Sequence, residues 1–334
     1  MSTKTENKMI NILLNIIKSL ALPLVLYFIF KLILGDTFGS LESLYIILQQ
    51  TIVSALISLG MLLNMTIGIW DFSAGSIVIM VGIFLGHLAN AHNQLSTMVI
   101  ATIVIGMVIG FVNATLYTLC RVPSVVVTIS LLLIYESIAS TYKGGLGVLI
   151  APELALLGRA PWIFVVALFS GIAMYIIYSR TELGFGARAI GSNEIVAKQV
   201  GINPRKIKFF SFFIAGFLYS VAGLVNLSYG TALSPGKNMS TLDLNFNAMI
   251  AVFIAMYMAH FCNPIMGVFI GNFSMKLLSA GLVATGVDGT WQKVIIGVFL
   301  IFFMSFNGIT EKIEQKNAIN KSFNELNVNQ DTVN

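Results

Sequence analysis

Residues 184–208 read GFGARAIGSNEIVAKQVGINPRKIK, a polar strip in a chain that is otherwise mostly apolar. The chain has 334 residues, of which 57% are hydrophobic and 10% are charged. A soluble domain would carry about 25% charged residues. Apolar runs flank the strip at 160–178 and 209–227, and each could cross a ~30 Å hydrocarbon layer as a helix. The strip therefore separates two predicted membrane spans.

Apolar runs of similar length recur along the whole chain, and lipid offers no hydrogen-bond partners to an unpaired backbone. We therefore predict an all-α fold, a polytopic transmembrane helical bundle with about ten spans and both termini cytoplasmic. The predicted spans are roughly 17–35, 44–63, 72–89, 95–119, 122–141, 160–178, 207–229, 244–261, 264–283 and 289–307. The predicted organisation is a cytoplasmic and interfacial segment 1–16, a transmembrane domain 17–308 with a cytoplasmic loop 179–208, and a polar cytoplasmic tail 309–334.

The basic residues set the orientation, because cytoplasmic loops carry an excess of Lys and Arg. With the N-terminus inside, the loops predicted to be outside contain only Lys143, Arg159 and Lys237. The strip and its edges then lie inside and carry the largest group of cations, which are Arg180, Arg188, Lys198, Arg205, Lys206 and Lys208. Topology accounts for the net charge of +5, so this charge does not indicate nucleic-acid binding.

The strip contains the signals of a short helix over residues 193–200. Ser192 is predicted to cap its N-terminus, Glu194 lies in the first turn, where the helix dipole favours an acid, and Gly201 suits the left-handed position at the C-terminus. Such a short helix is marginal alone in water, so either the spans or a cytoplasmic partner must hold it. The alternative is an ordinary loop with positive-inside charge.

Several polar residues fall inside or between the predicted spans, where their desolvation is costly. Asp71 follows a break between two apolar runs, and the alternative reading is that it caps a helix starting at Phe72. Glu136 and Lys276 lie within the fifth and ninth spans, and whether they pair is open. The candidates for a translocation path are Asn64, Asp71, Ser73, Ser76 and Glu136.

The stretch 184–225 resembles the central cytoplasmic loop of the ribose-type ABC transporter permeases, which are membrane subunits of binding-protein-dependent importers. The family pattern there is Ala-Ile-Gly-x-Asn-Glu, then Ala, then Gly-Ile-Asn, and it stands here at 189–194, 197 and 201–203. GIWDFSAGS at 68–76 and VPSVVVTIS at 122–130 are similar to two further family segments. The segment 241–267 lacks the paired glycines of the family, so the resemblance does not fix the solute.

The resemblance implies a permease subunit of an ATP-driven ABC importer in the bacterial inner membrane, which moves a sugar or a similar small polar solute. The implied partners are a cytoplasmic ABC ATPase subunit, an external solute-binding protein, a second permease subunit in a homodimer or heterodimer, and the lipid bilayer. ATP and Mg would bind to the ATPase, and this chain would bind no cofactor or metal.

The resemblance also implies that the helix around Glu194 is a coupling helix, which sits in a groove of the ATPase. Val196, Ala197 and Val200 would pack in that groove, and Arg188, Lys198 and Arg205 would meet acidic or polar groups at its rim. The residues implied to carry the coupling are Arg188, Asn193, Glu194, Val196, Ala197, Val200 and Gly201.

Two other functions are compatible with an apolar helical chain. A secondary transporter driven by an ion gradient places ionisable residues and broken helices near the membrane midplane, and Asp71, Glu136 and Lys276 could be read this way. A membrane enzyme would need a site such as H-E-x-x-H or a nucleophile with a base, and the sequence shows neither. The sequence also lacks the phosphate loop G-x-x-x-x-G-K-[ST]. Cys120 and Cys262 offer no disulfide or metal pattern.

Overall fold

The computed structural model describes residues 2–302 and residue 305, and these are mainly helical. The predicted tail 309–334 lies outside the described residues. The helices are α1 (Ser2–Leu34), α2 (Leu41–Thr66), α3 (Ala74–His92), α4 (Leu95–Cys120), α5 (Ser124–Thr141), α6 (Trp162–Arg180), α7 (Glu182–Ser192), α8 (Glu194–Gln199), α9 (Pro204–Gly230), α10 (Leu242–Met258), α11 (Pro264–Ala284) and α12 (Gly289–Phe302).

The long helices are apolar enough to cross a membrane, as the sequence predicts. Within the described residues, eight helices meet the length and composition of a span, and α10 and α12 are apolar but shorter. The all-α polytopic bundle is therefore confirmed, whereas about ten spans and two cytoplasmic termini remain predictions. One helix, α1, continues without a break through the predicted interfacial segment.

The core of the bundle is built around α9, which packs against α2, α3 and α4. Small residues permit the closest of these contacts. A Cβ atom added to Gly110 of α4 would lie 2.4 Å from the backbone oxygen of Phe213, and one added to Gly216 would lie 2.4 Å from Cα of Gly110. Close approach of backbones through glycine is a common way to associate helices in lipid. The two helices therefore form a tight pair that larger residues would separate.

The loops predicted to lie outside meet at the end of the bundle opposite α7 and α8. Two short strands, β1 (Val148–Leu149) and β2 (Ala232–Leu233), pair antiparallel with Val148 opposite Leu233. The pairing joins the loop after α5 to the loop after α9. These loops therefore form one connected outer surface rather than independent links.

Candidate functional site

The polar strip folds into two short helices, α7 and α8, and the first turn of α9. The sequence did not predict α7, because glycine disfavours a helix and this segment contains three. Tertiary packing explains all of them. A Cβ atom added to Gly191 would lie 1.9 Å from the backbone oxygen of Thr66. One added to Gly184 would lie 2.0 Å from the backbone oxygen of Tyr178, and one added to Gly186 would lie 2.8 Å from the Ile207 side chain. The end of α7 therefore sits directly on the end of α2.

The predicted short helix is present as α8, but its cap differs from the prediction. Asn193, not Ser192, is the N-cap, and its Oδ1 accepts hydrogen bonds from the backbone N–H groups of Ile195 at 2.9 Å and Val196 at 3.1 Å. Ser192 instead ends α7, which the sequence did not reveal. Gly201 has φ of +88°, the left-handed conformation predicted for it.

The side chains of α8 divide between the protein core and the surface. Ala197 is only 2% exposed, whereas Ile195, Val196 and Val200 are 70%, 52% and 71% exposed. The expectation that Ala197 packs in a partner's groove is therefore wrong, because its methyl group faces the core of its own chain. Its small size serves the seating of α8 on the bundle. The apolar edge available to a partner consists of Ile195, Val196 and Val200.

Glu194 joins α8 to α9. Its Oε2 accepts from Lys208 Nζ at 2.9 Å, and its Oε1 lies 2.9 Å from Lys198 Nζ, one turn along α8. The hydrogen bond from Lys208, followed by that from Lys198, lowers the pKa of the Glu194 carboxyl below its ordinary value. The carboxylate therefore stays ionised at neutral pH and fixes α8 to the start of α9.

Arg188 is engaged within the chain. Its guanidinium donates to the backbone oxygen of Tyr178 and lies 5.0 Å from the Tyr178 ring centroid and 4.7 Å from that of Phe185. Such cation–π contacts orient the guanidinium plane against α6 and α7. In this conformation Arg188 packs α7 onto α6, and its contact with a partner's polar rim stays a prediction.

The break between α2 and α3 holds a buried polar cluster centred on Asp71. Oδ1 of Asp71 accepts from the Ser73 backbone N–H at 3.0 Å and from the Ser73 hydroxyl at 2.6 Å. Oδ2 accepts from the Tyr219 hydroxyl at 3.0 Å and from Asn64 Nδ2 at 3.4 Å. Asp71 is 2% exposed, and α9 supplies its most distant partner in sequence, Tyr219.

The cluster corrects two expectations for this region. The N-cap of α3 is Ser73, so Asp71 is not the cap of a helix starting at Phe72. The predicted path residues Asn64, Asp71, Ser73 and Ser76 are all buried, at 2% exposure or less. Protein groups occupy their hydrogen-bonding capacity, so in this conformation they hold α2, α3 and α9 together and do not line an open path.

The two charged residues of the later spans do not pair with each other. Glu136 of α5 accepts from the backbone N–H groups of Met239 at 2.9 Å and Thr241 at 3.0 Å, and from the Thr241 hydroxyl at 2.6 Å. It is 5% exposed and fastens the loop before α10. Within the described residues, no hydrogen bond or ion pair engages the Lys276 ammonium group. Glu136 is therefore a structural clamp and not a path residue in this conformation.

Sequence reasoning missed an open cavity of about 520 Å³ between α10, α11 and α12. An ion pair of 2.8 Å between Lys293 and Asp243 lies at its outer end. Among its lining residues, Asn247 has a buried side-chain oxygen without a hydrogen-bond partner. The other lining side chains are Phe246, Ile250, Ser279, Gln292, Ile296 and Leu300. The volume is within the range of small-molecule pockets, about 300–1,000 Å³.

A bundle of apolar membrane-length helices that carries a short capped helix at its polar end defines the class, a multi-pass membrane protein. The comparisons with known proteins agree. The chain matches, over residues 43–304, the family described as "Branched-chain amino acid transport system / permease component". The match covers more than half of the chain, and the chain belongs to this family.

The relatives narrow the class further. The chain is 24% identical over 296 residues to the autoinducer 2 import system permease protein LsrC of Photorhabdus luminescens, which covers 87% of this chain and 89% of that protein. It is 25% identical over 297 residues to the protein of the same name from Escherichia coli (strain K12 / DH10B), and this alignment covers 86% of this chain and 85% of that protein. No solved structure matches the chain.

The resemblance predicted from the central loop is thus confirmed. The chain is a permease component of a transport system, and its helices are those of a multi-pass membrane protein.

Proposed function

We propose that this permease is driven by a separate ABC ATPase that docks on α8. The observation that carries the proposal is the exposed apolar edge of Ile195, Val196 and Val200 on a short helix at the cytoplasmic end of the bundle. Exposed apolar patches bordered by polar groups are typical of interaction sites. Glu194 and the Asn193 cap hold the helix in place, so the edge is presented in a fixed orientation. ATP and Mg would bind to the ATPase.

The contact between α7 and α2 supports a route for the mechanical signal. A movement of α8 would pass to α7, because only Asn193 separates the two helices. The end of α7 touches the end of α2 at Gly191 and Thr66. Asp71 lies five residues after Thr66 and fastens the break between α2 and α3 to α9 through Tyr219. ATP-driven closure of the ATPase would therefore shift α2 relative to α3 and α9.

The solute is proposed from the relatives and the outer cavity. The two relatives are named as permeases of an autoinducer 2 import system, and we propose a sugar or a similar polar solute for this chain. The cavity between α10, α11 and α12 has a polar outer end with Asp243 and Lys293 and an apolar inner part with Ile250 and Leu300. This gradient supports it as the place where an external binding protein delivers the solute. A second permease subunit would complete the path.

The docking proposal is tested with a Val200→Asp variant. Val200 is 71% exposed, so the added charge leaves the fold intact and places a desolvated carboxylate in the proposed interface. We expect the ATPase to no longer co-purify with the permease. The matched control is Leu146→Asp, which changes a 66% exposed apolar residue on the outer side. If the Val200→Asp variant recovers as much ATPase as the Leu146→Asp control and the wild type do, docking on α8 is refuted.

The solute class is tested separately on the external binding protein. The thermal-shift screen contains pentoses, hexoses, nucleosides, autoinducer 2 and branched-chain amino acids. We expect stabilisation by at least one sugar-like compound, because a ligand that binds only the folded state raises its melting temperature. Stabilisation by branched-chain amino acids alone would contradict the proposed solute class and leave the docking proposal untouched.

A further inference from the structure

A further cavity, of about 570 Å³, lies at the α7–α8 end of the bundle, between the end of α4, α8 and the start of α9. Its only acidic lining residue among those described, Glu194, already pairs with two lysines. No described residue forms a salt bridge with the two arginines of the lining. The four cationic residues of the lining are Arg121, Lys198, Arg205 and Lys208. The cavity therefore carries positive charge that the chain does not neutralise.

The position of this cavity places the charge at the membrane surface. Arg121 directly follows α4, where an apolar span of 26 residues ends. Beside it, the apolar side chains of Leu116, Leu119 and Val122 are 37%, 71% and 42% exposed. The lining also contains Tyr117, whose hydroxyl can donate a hydrogen bond. An anionic head group would thus meet cations and a hydroxyl, while an acyl chain would lie along α4.

We propose that this cavity binds the phosphate head group of an anionic phospholipid of the inner leaflet. Basic pockets between spans on the cytoplasmic side have the charge and depth that such head groups require. A phosphate would pair with Arg121 and Arg205, whose guanidinium groups suit two-pronged contacts to phosphate oxygens. The proposed lipid site lies on the flank of α8 that carries Glu194 and Lys198, one helical turn apart. It does not use the apolar edge of α8. It therefore does not depend on the docking of an ATPase.

The test uses the full-length permease in lipid nanodiscs and a double variant, Arg121→Asn with Arg205→Gln. Asn tolerates the left-handed conformation that Arg121 adopts with φ of +53°. The matched control is Arg180→Gln with Lys206→Gln, which removes the same charge from the same side of the membrane outside this cavity. Native mass spectrometry then measures how much phosphatidylglycerol or cardiolipin stays bound relative to phosphatidylcholine. Inorganic phosphate is added in a further arm.

Each arginine that pairs with the phosphate contributes charge-assisted hydrogen bonds, and the loss of one such contact weakens binding about tenfold or more. We expect the Arg121/Arg205 variant to bind anionic lipid roughly 100-fold more weakly. The control removes two cations that do not line the cavity, so we expect it to lose far less. Equal loss in both variants would show general surface attraction and overturn the site. Displacement of the lipid by millimolar inorganic phosphate would reassign the cavity to a free anion. A variant that melts at the wild-type temperature excludes misfolding as the cause of a loss.

Discussion

The contact between Gly191 and Thr66 makes a sharp prediction about coupling. In a Gly191→Ala variant the new methyl carbon would lie 1.9 Å from the Thr66 backbone oxygen, whereas such carbons essentially never approach below 3.0 Å. The two helices must separate by at least the difference, 1.1 Å. The Thr66 oxygen belongs to the backbone at the last residue of α2, so it cannot turn aside as a flexible side chain would. The variant therefore changes the seating of α7 on α2 without changing any polar group.

The expected magnitude follows from overpacking and coupling. Overpacking of this kind costs about 1–3 kcal/mol, which lowers the melting temperature by roughly 2–10 °C. Coupling free energies between sites are typically about 1–3 kcal/mol, so a loss of the contact reduces coupling about fivefold or more. We expect solute uptake per ATP hydrolysed to fall by that factor.

The assay is proteoliposomes that contain the permease, the ATPase and the binding protein, in which uptake and ATP hydrolysis are measured together. The control is Gly230→Ala at the outer end of α9, where a methyl group would meet nothing within 4 Å. We expect the control to match the wild type in both measurements. An unchanged ratio of uptake to hydrolysis in Gly191→Ala, with an unchanged melting temperature, would refute the proposed route through α7 and α2.

Three further predictions concern the charged residues. The Asp71→Leu variant leaves several buried hydrogen-bond donors without an acceptor, each at a cost of about 1–3 kcal/mol. It should therefore melt well below the Asp71→Asn variant. Equal melting temperatures would show that the hydrogen bonds to Asp71 do not stabilise the protein. The Glu136→Gln variant replaces the carboxylate that accepts from the backbone N–H groups of Met239 and Thr241, so the loop before α10 is held less firmly. Trypsin added from the outside should then cleave at Lys237 faster than in the wild type. Unchanged cleavage would show that Glu136 does not hold this loop. Because the pKa of Glu194 is lowered in the folded protein, its stabilisation is present above its unfolded pKa and disappears as pH falls through the folded value. Glu194→Gln should therefore be less stable than the wild type by at most about 1 kcal/mol at pH 7 and equally stable in acid, and pH-independent differences in thermal unfolding would contradict this.

The sequence predicts what depends on local composition and fails where distant residues meet. Length and hydropathy give the apolar helices, and Gly201 gives the end of α8. The helix α7 is not predictable from propensity, because its three glycines are favoured by the Tyr178 and Thr66 backbones and the Ile207 side chain against which they pack. Asn193 and Ser192 are both good caps, and only the extended backbone of Asn193 decides between them.

The candidate path shows the same limit. The sequence identifies Asp71 as a costly buried carboxylate, but its partner Tyr219 is 148 residues away, so a fully satisfied cluster cannot be read from the local pattern. Glu136 is likewise satisfied by the loop before α10, which follows it by 105 residues at Thr241. The outer cavity arises from helices that are separate in sequence, and no local motif indicates it. Such sites require the packing itself.

Reconstitution into liposomes measures whether a separate ATPase powers this permease. One set of liposomes contains the permease alone, and a second set contains the permease, the ATPase and the binding protein. Each set is given a proton gradient, a sodium gradient, or ATP on the inside or the outside, in separate experiments. We expect uptake only when the ATPase, the binding protein and ATP accessible to the ATPase are all present. Uptake by the permease alone on an ion gradient would contradict this expectation and identify a secondary transporter.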